Sequence, residues 1–198
     1  MINYTQDSAS KCLAKFIWNF KVGDNILYNF KILFLLYESK HNFGSNQELL
    51  IKPIIIQIVS IIEGIFYDLI CRLDGATNHF PQHIPSDKRD AIKAKLKSEK
   101  IWFKRLDGIR YQRIKNYSFD NLITFFQEYD LLGPSDSDIY IKLRDSAYIR
   151  NRIHIFNYFN NHSKNEDYVF SEWRLSNVEA LLHIILPIME SLYKRPFN

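Results

Sequence analysis

The chain has 198 residues, of which 46% are hydrophobic and 15% aromatic, so it is long enough and apolar enough to bury the core of one globular domain. This composition excludes a largely disordered chain, and six glycines and six prolines are few for a sandwich or barrel with many tight turns. The formal net charge of +4 is a mild excess that does not by itself indicate a polyanionic partner. We therefore predict a single all-α domain over residues 1–198, a bundle of roughly six or seven helices.

The first 45 residues predict two helices that precede the main bundle. The first covers residues 8–22, and the second runs from Asp24 to Tyr37. Gly23 and Asp24 mark the expected break, because glycine is a weak helix former and aspartate often caps a helix start.

The next signal is a capping box at residues 45–48, Ser-Asn-Gln-Glu, which predicts a helix beginning near Leu49. The segment that follows, residues 49–70, is apolar enough to raise the question of a membrane span. Polar, ionisable and proline residues interrupt it, and ionisable groups at that density are costly in lipid. We therefore expect a central helix buried in protein, with no membrane partner; the interrupting residues are Lys52, Pro53, Gln57, Glu63 and Asp68.

Residues 88–115 form a basic segment with eleven basic and three acidic side chains, a net charge of +8. Ser86 or Asp87 is expected to cap a basic helix here, and Gly108 to interrupt it. Trp102, Phe103 and Tyr111 lie among the cations, a mixture that suits phosphate contact and base stacking. A solvated helix face is the competing interpretation. The candidate RNA-binding residues are Lys100, Lys104, Arg105, Arg110, Arg113 and, further along the chain, Arg152.

Three further helices are predicted in the second half of the chain. Serine and aspartate signals precede each, and one is a second capping box, Ser-Asn-Val-Glu. The predicted helices cover residues 118–129, 139–156 and 178–193, with a polar loop at 157–167.

No cofactor, metal or export signal is predicted. Cys12 and Cys71 are far apart and show no Cys-x-x-Cys spacing, so we expect buried, reduced thiols. No basic stretch followed by an apolar run opens the chain, so a secretory signal is not evident and a cytoplasmic location is expected.

The candidate chemical motif is Arg150-Asn151-Arg152-Ile153-His154 in the predicted helix 139–156. Residues four apart project from the same helix face, so Arg150 and His154 lie one turn apart. Arginine is a permanently charged, forked donor for phosphate oxygens, and histidine exchanges protons near neutral pH. If RNA lies against this face, His154 can act as acid or base on a ribose 2′-hydroxyl while Arg150 stabilises phosphate charge, without a metal.

The order of these features resembles the HEPN superfamily. The resemblance rests on residues 58–70, an apolar helix that carries an acid, on residues 143–155, which contain the Arg-Asn and His motif, and on a closing apolar helix. It covers residues 46–193 in order of features and implies a helical bundle, often a homodimer. It also implies a metal-independent endoribonuclease of a defence, abortive-infection or toxin–antitoxin type, with RNA as substrate and an antitoxin protein as a possible partner. Members of the family that lack activity serve as binding modules.

The motif departs from the family pattern in its spacing. The family places four to six residues between arginine and histidine, whereas three separate Arg150 from His154. One residue fewer turns the histidine by about 100° around the helix.

Two functions follow from these residues. The leading prediction is an endoribonuclease in which Arg150 stabilises charge, His154 transfers protons and Asn151 positions the RNA. Glu63 is a supporting acid that orients Arg150 or His154 from the neighbouring helix, or else one half of a structural ion pair. The alternative is a noncatalytic RNA- or protein-binding module, which the shortened spacing favours.

Overall fold

The computed structural model describes residues 13, 15–17, 20–75, 80–104, 110–114, 117–151 and 170–194, with the backbone alone for 20, 75, 101–104 and 110–114. Over these residues the protein is a helical bundle, which confirms the predicted all-α fold. The six helices of the described part are α1 (Phe20–Asn42), α2 (Ile51–Gly75), α3 (Ser86–Ser98), α4 (Phe119–Glu128), α5 (Asp138–Asn151) and α6 (Glu172–Leu192).

Helix α2 is the centre of the bundle and packs against all five other helices. Isoleucines at three- and four-residue steps, such as Ile54, Ile58, Ile61 and Ile65, are fully buried along it. Branched and apolar side chains on nearly every face make α2 a core helix, as its sequence predicts. Pro53 is the third residue of α2, inside the first turn, where proline is tolerated.

Two stretches of the described residues are long and apolar enough to cross a membrane, Gly44–Asp74 and Glu172–Leu192. Half of the most apolar window of the first, and 39% of that of the second, is buried inside the protein. Core helices of soluble proteins meet the same criteria of length and composition, so these features alone do not assign the chain to a membrane.

Helices α1 and α6 flank α2, and glutamates of α6 contact two polar side chains of α1 and also Lys15, which precedes α1 in the chain. Glutamates spaced seven and eleven residues apart on α6 lie on one helix face. Burial, followed by its hydrogen bond to the nearest glutamate, raises the pKa of Tyr37 above the ordinary value. The contacts are Lys40 to Glu172 at 2.5 Å, Tyr37 to Glu179, and Lys15 to Glu190.

A buried arginine ties the chain together near the end of α2. Arg72 is 7% exposed and donates to the carbonyl oxygens of Phe16 at 3.2 Å and Tyr193 at 2.9 Å. The Tyr193 hydroxyl in turn donates to the carbonyl of Leu131 at 2.6 Å. Segments from the start, middle and end of the chain therefore share one polar network inside the core.

The predicted helix break at Gly23 and Asp24 is wrong, because α1 runs through both residues without interruption. Glycine inside a helix costs about 1 kcal/mol relative to alanine. The buried side chains Ile26, Phe30 and Leu33 of the same helix outweigh that cost. Tertiary packing therefore overrides the local signal.

Residues 45–48, the first predicted capping box, lie inside a 3₁₀ segment and do not cap α2 directly. Residues Gly44–Leu50 form a 3₁₀ segment that leads directly into α2, and no side-chain cap precedes it. The helix begins at Ile51, close to the predicted start near Leu49.

The start predicted for the last helix is also wrong, because α6 begins at Glu172 rather than Val178. Ser171 is its cap, and the Ser171 hydroxyl accepts from the Arg174 N–H at 3.4 Å. By contrast, Ser118 caps α4 as predicted, accepting from the Asn121 N–H at 3.3 Å.

The basic segment is helical only as far as Ser98. A two-stranded antiparallel hairpin follows, β1 (Lys100–Lys104) and β2 (Arg110–Ile114), with Phe103 opposite Tyr111. The predicted continuation of the basic helix is therefore wrong. Aromatic and branched residues favour strands, and an Asp-Gly pair, which the sequence has at residues 107 and 108, is typical of hairpin turns.

Candidate functional site

The candidate site lies at the C-terminal end of α5, where Arg150 and Asn151 are the last two residues of the helix. Ile139, Leu143 and Ala147, at four-residue steps, are buried and fix this helix in the bundle. Helix α5 packs against α2, α4 and α6, so the last turn of α5 meets side chains from other helices.

Arg150 makes a bidentate ion pair with Glu63 of α2. Its Nη1 donates to Oε1 at 2.8 Å, and its Nη2 lies 2.7 Å from Oε2. The side chains are 31% and 23% exposed respectively, so the pair is partly shielded from solvent. Two parallel hydrogen bonds fix both the position and the plane of the guanidinium. The contact fits both functions considered for Glu63, and its role stays a prediction.

Asn151 contacts an acidic side chain from a third helix. Its Nδ2 donates to Oδ2 of Asp120 at 3.2 Å, and both residues are exposed. Asp120 stands in the first turn of α4, where the helix dipole favours a negative charge. The sequence suggested Asp120 only as a helix-start residue. Nothing in the local pattern pointed to its contact with a residue 31 positions away.

His154 and Arg152 lie outside the residues that the structure describes, as does Arg105. Their predicted roles stay predictions. Lys104 and Arg110 face each other across the hairpin, where only the backbone is described. Arg113 is paired with Ile101 in the same register, and its side chain is likewise outside the description.

Lys100 is the one member of the predicted RNA-binding set whose side chain is described. Its Nζ lies 2.8 Å from Oδ1 of Asp74 at the end of α2, and the two side chains are 27% and 21% exposed. This ion pair ties the start of the hairpin to the central helix. Lys100 therefore has a structural partner in addition to any role with RNA.

The cations of α3 are also largely engaged within the protein. Arg89 donates to the carbonyls of Ile84 at 2.6 Å and Gln82 at 3.1 Å, and so stabilises the turn before α3. Lys88 pairs with Asp130, and Lys95 with Glu99 at 3.0 Å. The formal charge of the basic segment therefore overstates the cationic surface that α3 offers to a polyanion.

Cys71 is half-buried and forms no disulfide. Burial is the main cause that raises the pKa of its thiol, which disfavours the reactive thiolate. Cys12 lies outside the described residues. Within the described residues, no group of three or more His, Cys, Asp or Glu side chains is placed to hold a metal ion.

The chain matches no family model, no curated protein and no solved structure. The HEPN resemblance thus rests on the residues themselves.

Proposed function

We propose that this protein is a HEPN-like, metal-independent endoribonuclease of a defence or toxin–antitoxin type. The observation that best supports the proposal is the bidentate contact of Glu63 with Arg150, next to the exposed Asn151. An oriented guanidinium beside an exposed amide suits the positioning of a phosphodiester.

In the proposed reaction the ribose 2′-oxygen attacks the adjacent phosphorus, and the bond from phosphorus to the 5′-oxygen breaks. The products are a 2′,3′-cyclic phosphate and a 5′-hydroxyl end. His154 transfers protons as acid or base, and Arg150 stabilises the charge that develops on phosphate. Asn151 positions the RNA, and Arg152 with the basic residues of the hairpin contributes phosphate contacts. A homodimer that brings two motifs together supplies the second proton-transfer group.

The test is cleavage of labelled RNA by the full chain in the presence of excess chelator. We expect products with cyclic-phosphate ends, and loss of those products in Arg150→Ala and in His154→Ala. Arg144→Ala is the matched control, because Arg144 stands on the same helix and donates to Gln127 at 2.8 Å, away from Glu63. Cleavage that requires a divalent metal, or that survives both substitutions, contradicts the proposal.

A noncatalytic HEPN-like module that binds RNA or protein is the second candidate. The engagement of both terminal nitrogens of Arg150 by Glu63 favours it, since a phosphate must displace that carboxylate or share the donors. In this case no RNA product forms with any substrate, while His154→Ala changes self-association or ligand affinity. Sedimentation and RNA-binding measurements on the same variants separate the two candidates.

A further inference from the structure

We propose that the outer face of α1 binds a second copy of this chain, with the two α1 helices antiparallel. The contact is carried by Tyr28, Ile32 and Leu35, with Lys31 and Glu38 along one side. Helix α1 lies before residues 46–193, which carry the HEPN resemblance. The inference therefore goes beyond the proposed function and does not rest on it.

Helix α1 carries apolar side chains on two opposite faces. The face that contains Phe30 is buried in the core. On the opposite face Tyr28 is 64% exposed and Leu35 is 67% exposed, and Ile32 between them is only partly buried. Steps of four and three residues place these three side chains in one stripe. A helix at a protein surface normally has a polar outer face, so a continuous apolar stripe there indicates a contact site.

One charge of each sign flanks this stripe on the same side of the helix. Lys31 and Glu38 are both exposed, and neither side chain forms an ion pair with another described residue. They are seven residues apart, outside the three- and four-residue spacings at which side chains of one helix pair. A partner with the opposite order of charges would therefore satisfy both.

A second copy of α1 that runs antiparallel has that order of charges. Around a twofold axis the same side of each antiparallel helix faces its counterpart. The register that sets Ile32 against Leu35 of the second copy also sets Lys31 beside its Glu38. Because the axis repeats every contact, the pair contains two apolar layers at its centre and two ion pairs at one side.

The same register explains the ends of the stripe and excludes the parallel arrangement. Tyr28 lies over Ser39 of the second copy, an exposed residue whose small side chain leaves room for the ring. In a parallel pair, by contrast, Lys31 and Glu38 face Leu36 and Phe43, which carry no charge.

The size of the stripe predicts weak association. From Tyr28 to Ser39 the helix rises about 16 Å, so two copies bury less than the roughly 1,200 Å² at which stable interfaces begin. We therefore expect a reversible dimer with a Kd of about 10–100 μM, rather than a permanent one.

The first test is sedimentation equilibrium of the full chain as a function of protein concentration. Leu35→Gln should weaken dimerisation at least about tenfold, because each dimer loses two leucines from its centre. Ile141→Gln is the matched control, since Ile141 is 68% exposed on α5. It should dimerise as the native chain does. Circular dichroism and Tm should show that both variants keep the fold.

The second test exchanges the charges. Lys31→Glu and Glu38→Lys should each weaken dimerisation roughly tenfold, because two attractive pairs become two repulsive ones. The double variant should recover the native Kd. An equimolar mixture of the two single variants should also recover it as a heterodimer, because each Glu then meets a Lys. High salt should weaken the native dimer.

A native chain that stays monomeric at several hundred micromolar overturns the proposal, about ten times the Kd expected for an interface of this size. So does dimerisation that survives Leu35→Gln or weakens equally in Ile141→Gln. Failure of both the double variant and the mixture to recover dimerisation overturns the antiparallel register. A monomeric chain that binds anionic lipid vesicles through Leu35 overturns the second copy as occupant and assigns the stripe to a membrane surface.

Discussion

Removal of the Glu63 carboxylate should destabilise the protein by about 1.5 kcal/mol, between the values typical of exposed and fully buried ion pairs. The contact is bidentate, and its two side chains are 23% and 31% exposed, so solvent screens the charges only in part. Glu63→Ala leaves the Arg150 guanidinium without its partner inside the bundle. For a chain of this size the loss corresponds to a fall in Tm of roughly 3–6 °C.

Thermal and urea unfolding of the native chain, Glu63→Ala, Glu63→Gln and Arg150→Lys are the measurements. Glu63→Gln retains one acceptor, and Arg150→Lys retains the charge without the fork, so both should fall between the native chain and Glu63→Ala. Asp90→Ala is the control, because the Asp90 side chain is 81% exposed and lies 3.9 Å from Lys93. A Glu63→Ala variant as stable as the control refutes the claim that the pair holds α5 against α2.

Two further substitutions test the core. Phe66→Ala should cost about 3–5 kcal/mol in urea unfolding, because the fully buried ring stacks on Phe126 at a centroid distance of 4.0 Å. Tyr28→Ala is the control and should change stability little, because the Tyr28 side chain is 64% exposed. If Phe66→Ala and Tyr28→Ala lose the same free energy of unfolding, Phe66 does not lie in the core as described. Tyr140→Phe should cost about 1–3 kcal/mol, because the Leu132 N–H loses its acceptor in the core. Burial raises the pKa of Tyr140 from 10.0 to about 12, so its contribution to stability is full below pH 10 and is lost as the pH rises through 12. Urea midpoints across alkaline pH should therefore fall less steeply in Tyr140→Phe than in the native chain.

The fold class followed from the sequence because hydrophobic periodicity reports burial directly. Residues such as Ile54, Ile58 and Ile61 of α2 recur at helical spacing and are fully buried. Two of the predictions that were wrong, the helix break at Gly23 and the start of α6, relied on weaker local signals. Gly23 predicted a helix break, yet α1 continues through it, because residues such as Ile26 on the same helix are buried in the core. The capping box that begins at Ser176 predicted a helix start at Val178, whereas the structure shows that Ser171 caps α6 five residues earlier.

The candidate site was predictable only in part. The Arg-Asn motif could be recognised because it is contiguous in sequence, and Glu63 because it is an acid on an apolar helix. The contact between Asn151 and Asp120 depends on how α4 packs against α5, which no local pattern encodes. Likewise, the pairing of Lys100 with Asp74 could not be read from a count of basic residues.

The contacts at the end of α5 also determine how the Glu63 variants should behave with RNA. Among the described side chains of this cluster, Glu63 pairs with Arg150 and Asp120 contacts Asn151, so two carboxylates accompany one cation. Their summed charge disfavours the approach of a phosphate, so loss of Glu63 should strengthen RNA affinity. The same loss frees the guanidinium to rotate, so kcat should fall if Arg150 acts in cleavage. Tighter binding with slower turnover in Glu63→Ala therefore identifies Glu63 as a positioning residue, whereas tighter binding alone identifies it as a counter-ion that limits access of RNA to Arg150.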